Sequence, residues 1–183
     1  PESFFSLTKK QANAEYVKAT NYLKRRGVTQ EDVLNWRIGF CRFGEYAGRI
    51  CVPSFDEHGE VNYFIARTYK DRFPRYKNPP AGRDIIFNDL HVDWSEPIVL
   101  VEGVFDAHKV GENAIPILGS WIDKSYLVFR RIVENNSSVI LGLDPDVRGK
   151  EIKIAKNLFQ HGIEVKLLEE RHKDLGDMSK KEV

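Results

Sequence analysis

Ile98-Val99-Leu100-Val101-Glu102-Gly103-Val104-Phe105-Asp106 and, further along, Ser138-Val139-Ile140-Leu141-Gly142-Leu143-Asp144-Pro145-Asp146 make the same statement twice. Each is an uninterrupted apolar run that stops at a carboxylate. A run without polar alternation reads as a strand covered on both faces, which is the signature of a parallel sheet. The neighbouring segments agree: helical spacing over 104–111, an apolar strand at 114–118, a helix over about 124–134, a lysine-rich helix over 148–161 and a strand at 164–168. Strands alternating with helices predict an α/β layer with helices flanking a parallel sheet. In such sheets functional groups lie beyond the carboxyl ends of the strands, where both runs place their acids.

Upstream the period is different. Ala12, Tyr16, Ala19 and Leu23 share a helix face within 9–26, which stops at Gly27; Thr29 then precedes Glu31 and Asp32 as the cap of a short second helix. Arg49–Pro53, Val61–Ala66 and the segment around Ile85–Phe87 are β-like, with Asp56–Gly59 as a hairpin turn. The expected organisation is a mixed α+β N-terminal subdomain at 1–95, followed after the polar stretch Asp93–Pro97 by the parallel-sheet subdomain at 96–183. A chain of 183 residues and 21.1 kDa suits such a pair.

Composition narrows the function. With 28 basic and 27 acidic residues, binding by bulk charge is disfavoured. The balance is nevertheless uneven, with 15 basic and 11 acidic residues up to position 92 against 13 and 16 beyond it. Residues 67–83 hold six basic residues and one acid, interleaved with Tyr69, Phe73 and Tyr76. Cations beside aromatic faces suit a single-stranded nucleic-acid track. No run approaches the roughly 18 apolar residues of a membrane span, and the N-terminus lacks the apolar region of a signal peptide, so a cytoplasmic protein is expected. Cys41 and Cys51 read as ordinary buried or half-buried thiols. A chain that opens on Pro1 and has its single methionine at Met178 reads as a piece of a longer protein.

The acids carry the chemistry. Asp144 and Asp146, two apart in extended chain, can project together, and Glu102 and Asp106, four apart, can converge as the chain enters its helix. Asp174, after Lys173 and close to Asp177, follows the last strand. Carboxylates about 4–5 Å apart repel by roughly 3–4 kcal/mol per pair at an effective dielectric near 20. An all-oxygen cluster without histidine offsets that repulsion with Mg²⁺ or Mn²⁺ rather than zinc, and magnesium usually reaches protein through a few carboxylates together with substrate phosphates. The implied substrate is a nucleotide or nucleic acid.

Val101–Asp106, Leu118-Gly119-Ser120, Leu143–Gly149 and Lys173-Asp174 resemble in order and spacing the motifs of the TOPRIM domain, in the version found in DnaG-type bacterial and phage primases. The resemblance extends upstream through Arg26–Val28, Trp36–Phe40, Gly48–Pro53, Gly59–Val61, Ala66-Arg67 and Arg75–Pro79, covering roughly residues 20–178. It implies an RNA polymerase core that makes short RNA primers from NTPs on a single-stranded DNA template, working beside a replicative helicase. By matching positions it implies Glu102 in catalysis; Asp106, Asp144, Asp146 and Asp174 as ligands of two or more Mg²⁺ or Mn²⁺ ions; Arg148, Lys150 and Ser120 near the nucleotide; and Arg67, Arg75, Lys77 and Asn78 on DNA. No organic cofactor is implied. Lys77 stands two places from the family's usual lysine, and Pro145 replaces a common glycine. A metal-dependent TOPRIM nuclease is the alternative, distinguished by cleavage without NTPs.

Overall fold

The computed structural model describes residues 1–111 and 113–168, so Asp174 and Asp177 lie outside the described residues. The chain divides into two units, one formed by Pro1–Phe55 and Val61–Ala81, the other by Asp56–Glu60 and the chain from Gly82 onward.

The first unit is an antiparallel sheet with two helices. Strands β1 (Phe4–Ser6), β2 (Gly39–Cys41), β3 (Arg49–Phe55) and β4 (Val61–Thr68) pair in sequence order. The two short strands β1 and β2 were not marked by the sequence pattern. Gly39 makes their pairing possible, because a Cβ there would run into the Phe4 ring and come 2.7 Å from the Phe5 carbonyl oxygen. Pro53 sits in β3 without cost to the β2 ladder, which ends at the Gly39–Cys51 pair. Cys41 and Cys51 are buried free thiols with their sulfurs 3.4 Å apart.

Helix α1 (Ala14–Arg25) starts later than the expected residue 9, because the Asn13 side chain accepts the Tyr16 N–H and caps it there. Its end at Gly27 (φ 74°) matches the reading from sequence. Helix α2 (Gln30–Asn35) carries the anticipated cap as a full capping box between Thr29 and Asp32. Glu15 on α1 accepts from Tyr69 (2.7 Å), Lys70 (2.9 Å) and Lys18 (3.2 Å), and the Lys70 ammonium foremost holds its carboxyl down to about 2.

The second unit is the parallel layer. Strands β5 (Ile98–Val101), β6 (Ala114–Pro116), β7 (Val139–Gly142) and β8 (Val165–Leu167) take the order β6-β5-β7-β8, with helices α3 (Val104–Val110), α4 (Leu127–Asn135) and α5 (Arg148–Phe159) between them. Its core joins Ile98, Leu100, Ile115 and Leu141 of the sheet to Phe129 and Ile132 of α4 and Ile154 and Leu158 of α5. The β-like segment at 85–87 is not a strand. Ile86 and Phe87 are instead buried anchors, and Asp84 just before them accepts the Leu127 N–H (2.6 Å), capping α4 from a distance. That remote cap explains why α4 starts three residues after the expected position, at a residue with no local cap of its own. Among the described residues no helix is long and apolar enough to cross a membrane.

Candidate functional site

The parallel register sets the site. Val101 pairs with Gly142 at the ends of β5 and β7, so Glu102 emerges one residue beyond one strand and Asp144 two beyond the other. Asp144 opens a one-turn 3-10 helix over Pro145–Val147, whose first residue is proline because its missing N–H would have had no partner there. One carboxylate oxygen from each of Glu102, Asp144 and Asp146 lies within 4.8 Å of the others. Glu102 and Asp144 are half-buried and Asp146 is exposed. Burial, then the charges of Asp144, Asp146 and Asp106 and a hydrogen bond to Asp144, push the Glu102 carboxyl up to about 7.

Asp106 enters differently. Helix α3 begins at Val104 with Gly103 as its cap, so Glu102 precedes the helix and the shared helix face expected from the four-residue spacing does not form. Asp106 turns back to accept the Gly103 N–H (2.8 Å), and it acts on Glu102 through its charge. Glycine leaves this bond undisturbed, since a Cβ at 103 would stand 2.9 Å from the same Asp106 oxygen and push it aside.

Beside the cluster, Lys150 donates to Ser120 Oγ (2.7 Å), which ties the start of α5 to the loop after β6. Arg148 Nη1 donates to Glu151 (2.6 Å), whose other oxygen accepts the Leu143 N–H (3.3 Å). Glu151 is only 2% exposed, so this clamp holds the strand end immediately before Asp144.

In the first unit, Arg67 lies over the Tyr76 ring (4.9 Å) and donates to its hydroxyl. Arg26, over Tyr22 (5.8 Å), also acts on the Tyr76 phenol. Phe73 is 91% exposed and Arg75 is exposed beside it. Lys77 pairs with Glu45 (3.1 Å) and lies over Tyr46, while the Asn78 side chain accepts the Ala66 N–H (3.4 Å), a structural bond to β4.

No family model matches the chain. It is 26% identical over 141 residues to the DNA primase of Staphylococcus aureus, covering 69% of this chain and 23% of that protein. An uncharacterized protein of Mycoplasma genitalium is 28% identical over 170 residues, covering 84% and 72% respectively. The structure of a DnaG primase catalytic domain bound to ssDNA superposes with a TM-score of 0.76 at 18% identity, over 93% of this chain and 69% of that one. The chain has the fold of the DnaG primase catalytic core. It spans about a quarter of the length of the two staphylococcal primases that it matches (23% in both).

Within this fold, the expected site residues fall into three groups. Glu102, Asp144 and Asp146 meet; Arg148 and Lys150 open α5, with Lys150 bonded to Ser120 in the loop after β6; Arg67 stacks on Tyr76 in the other unit, where Arg75 is exposed next to it in the chain. Asp106 serves the backbone as well as the cluster, Lys77 and Asn78 are engaged in local bonds, and Asp174 lies outside the described residues. Sequence reasoning missed Glu151, Arg26 and Tyr22 as site residues. The four-residue spacing of Tyr22, on α1, and Arg26, which caps its C-terminal end, was a usable signal for the latter pair. Glu151, in a helix with four Lys or Arg residues, reads as part of a solvated face and gave none.

The donor set fits a hard divalent cation: three carboxylates, all oxygen, with burial and mutual repulsion raising the Glu102 carboxyl to about 7.

Proposed function

We propose that this chain is the primer-synthesising core of a DnaG-type primase, joining ribonucleotides on a single-stranded DNA template. The observation that carries the reading is the meeting of Glu102, Asp144 and Asp146 at the ends of β5 and β7, in a chain that also presents the Arg67–Tyr76 stack. Glu102, Asp144 and Asp146 would hold Mg²⁺ or Mn²⁺, with Asp106 and Asp174 as further acidic groups of the site. Such ions supply charge stabilisation to the attacking and leaving oxygens in phosphoryl transfer.

The chain's own groups divide the remaining work. Nucleotide joining needs a 3′-hydroxyl to lose its proton while pyrophosphate leaves, and Glu102, at the end of β5 beside Asp144 and Asp146, is the carboxylate placed to take that proton on Oε. Lys150 and Arg148 stand at the start of α5, where released from Ser120 and Glu151 they can bind triphosphate oxygens. Arg67, Arg75, Tyr76 and Arg26 hold the template by phosphate contact and base stacking. Lys77 and Asn78 support that face through Glu45 and the Ala66 amide.

Template-dependent ribonucleotide incorporation, comparing the wild type with Asp144→Ala, tests the reading. Loss of product in the variant is the expected result, and undiminished synthesis overturns it. Strand cleavage with Mn²⁺ and no NTPs would replace it with the nuclease reading.

A further inference from the structure

We infer that Arg49, a residue with no expected place at the site, is the positioning residue that fixes the basic Arg72–Lys77 segment as a template-facing surface. The inference rests on the proposed template role of Arg67, Arg75 and Tyr76. Arg49 opens β3 and is 2% exposed, yet among the described residues it has no ion-pair partner. Its Nη2 donates to the Pro74 carbonyl (2.8 Å) and its Nη1 to the carbonyls of Arg75 (3.0 Å) and Ala66 (3.5 Å). Its Nε is buried without a hydrogen-bond partner.

A sequestered guanidinium facing only carbonyls is costly, because neutral acceptors offset its lost hydration less completely than a carboxylate would. The sheet itself does not need it: the other buried residues of β3 are Ile50, Cys51, Val52, Ser54 and Phe55. What the guanidinium does is grip two consecutive peptide carbonyls of a segment that has no strand of its own. Other contacts join that segment to the sheet and its loops: Arg72 donates to the Ala47 carbonyl, Lys77 pairs with Glu45 (3.1 Å) and Asn78 accepts the Ala66 N–H (3.4 Å). Thr68 N–H donates to the same Arg75 carbonyl (2.9 Å), Lys77 N–H donates to the Ala66 carbonyl (2.9 Å), and Arg67 and Tyr76 form a single antiparallel bridge. Arg75 and Tyr76 therefore project from a backbone held by a planar two-pronged donor. An ammonium is a point donor and does not reproduce that fork.

The test uses Arg49→Lys, with Arg49→Met as the complete deletion, in the full chain. Amide hydrogen exchange is followed at Thr68 and Lys77, and binding of a fluorescent oligo-dT is measured against salt. In Arg49→Lys the two amides are expected to exchange at least about tenfold faster while β5 and β7 amides keep their protection. Single-strand affinity should fall, and the slope of log K against log salt should become shallower by about 0.7 for each phosphate that the displaced segment no longer neutralises. Mn²⁺ binding by the acidic cluster should not change. Wild-type exchange at Thr68 and Lys77, or faster exchange with wild-type affinity and salt slope, overturns the inference. If wild-type protein has no single-strand affinity, the template reading itself fails, and the exchange arm alone then decides whether Arg49 holds the segment. Should Arg49→Met not fold, Arg49→Lys carries the test.

Discussion

Protonation of Glu102 makes divalent-metal binding and stability depend on pH in opposite ways. The carboxyl is raised from 4.5 to about 7, foremost by burial and then by Asp144, Asp146 and Asp106. At 1.36 kcal/mol per unit the shift corresponds to about 3 kcal/mol as an upper bound, and to about 1–2 kcal/mol once water's access to a half-buried group is allowed for. The folded protein binds more protons than the unfolded chain between pH 4.5 and 7, so metal-free stability falls as pH rises through that window and levels off above it. Divalent binding needs the carboxylate form. It should release close to one proton from Glu102 near pH 6, about half a proton at pH 7 and almost none above pH 8.5. Titration calorimetry with Mn²⁺ in buffers of different ionisation enthalpy reads the protons directly, and urea unfolding of metal-free protein reads the stability. Glu102→Gln should lose both pH trends and gain about 1 kcal/mol of metal-free stability at pH 8. Metal binding at pH 6 without proton release, or a Glu102→Gln variant that keeps the wild-type trends, would refute the electrostatic picture of the cluster.

Other substitutions probe single contacts. Gly103→Ala forces Asp106 off the cap of α3 and should cost about 1 kcal/mol in urea unfolding, with weaker Mn²⁺ binding as its companion. Glu151→Ala leaves Arg148 and the Leu143 N–H without their buried partner and should cost about 3 kcal/mol, whereas Glu151→Gln should retain part of that by keeping one acceptor. Removing the Tyr76 ring with Tyr76→Ala should weaken oligo-dT binding by about 1–3 kcal/mol in anisotropy titrations and leave Mn²⁺ affinity unchanged. Leu100→Ala in the parallel core should cost about 2–5 kcal/mol without moving the single-strand salt slope.

The parallel layer was legible because its two central strands are covered on both faces, so that Ile98–Val101 and Val139–Gly142 announce themselves by composition alone. The short strands β1 and β2 were not, since three residues are too few for any alternation to register. Their pairing depends on Gly39 giving room to the Phe4 ring, a contact between positions far apart in the chain. Ile85–Phe87 misled for the converse reason. A short apolar run is equally a strand or a pair of anchors, and only the sheet order decides that no strand neighbours it.

Within the site, the residues found first were those whose position follows from strand ends. Glu102, Asp144 and Asp146 needed only the rule that parallel strands deliver their next residues to one edge. Asp106 shows the limit of spacing rules: four residues separate it from Glu102, but the helix starts between them, and its carboxylate answers the Gly103 amide before any other demand. Glu151 and Arg49 lie further beyond the reach of sequence, because a charged residue is buried here by what it grips, and what it grips is largely peptide backbone. A backbone carbonyl or amide has no letter in the sequence. The partners of Arg49 at 74 and 75 would offer the same acceptors whatever side chains stood there, so the latch becomes visible only once the fold has brought β3 under that segment. In related chains, a buried basic residue opening the third strand should therefore persist even where the residues carrying its acceptor carbonyls change.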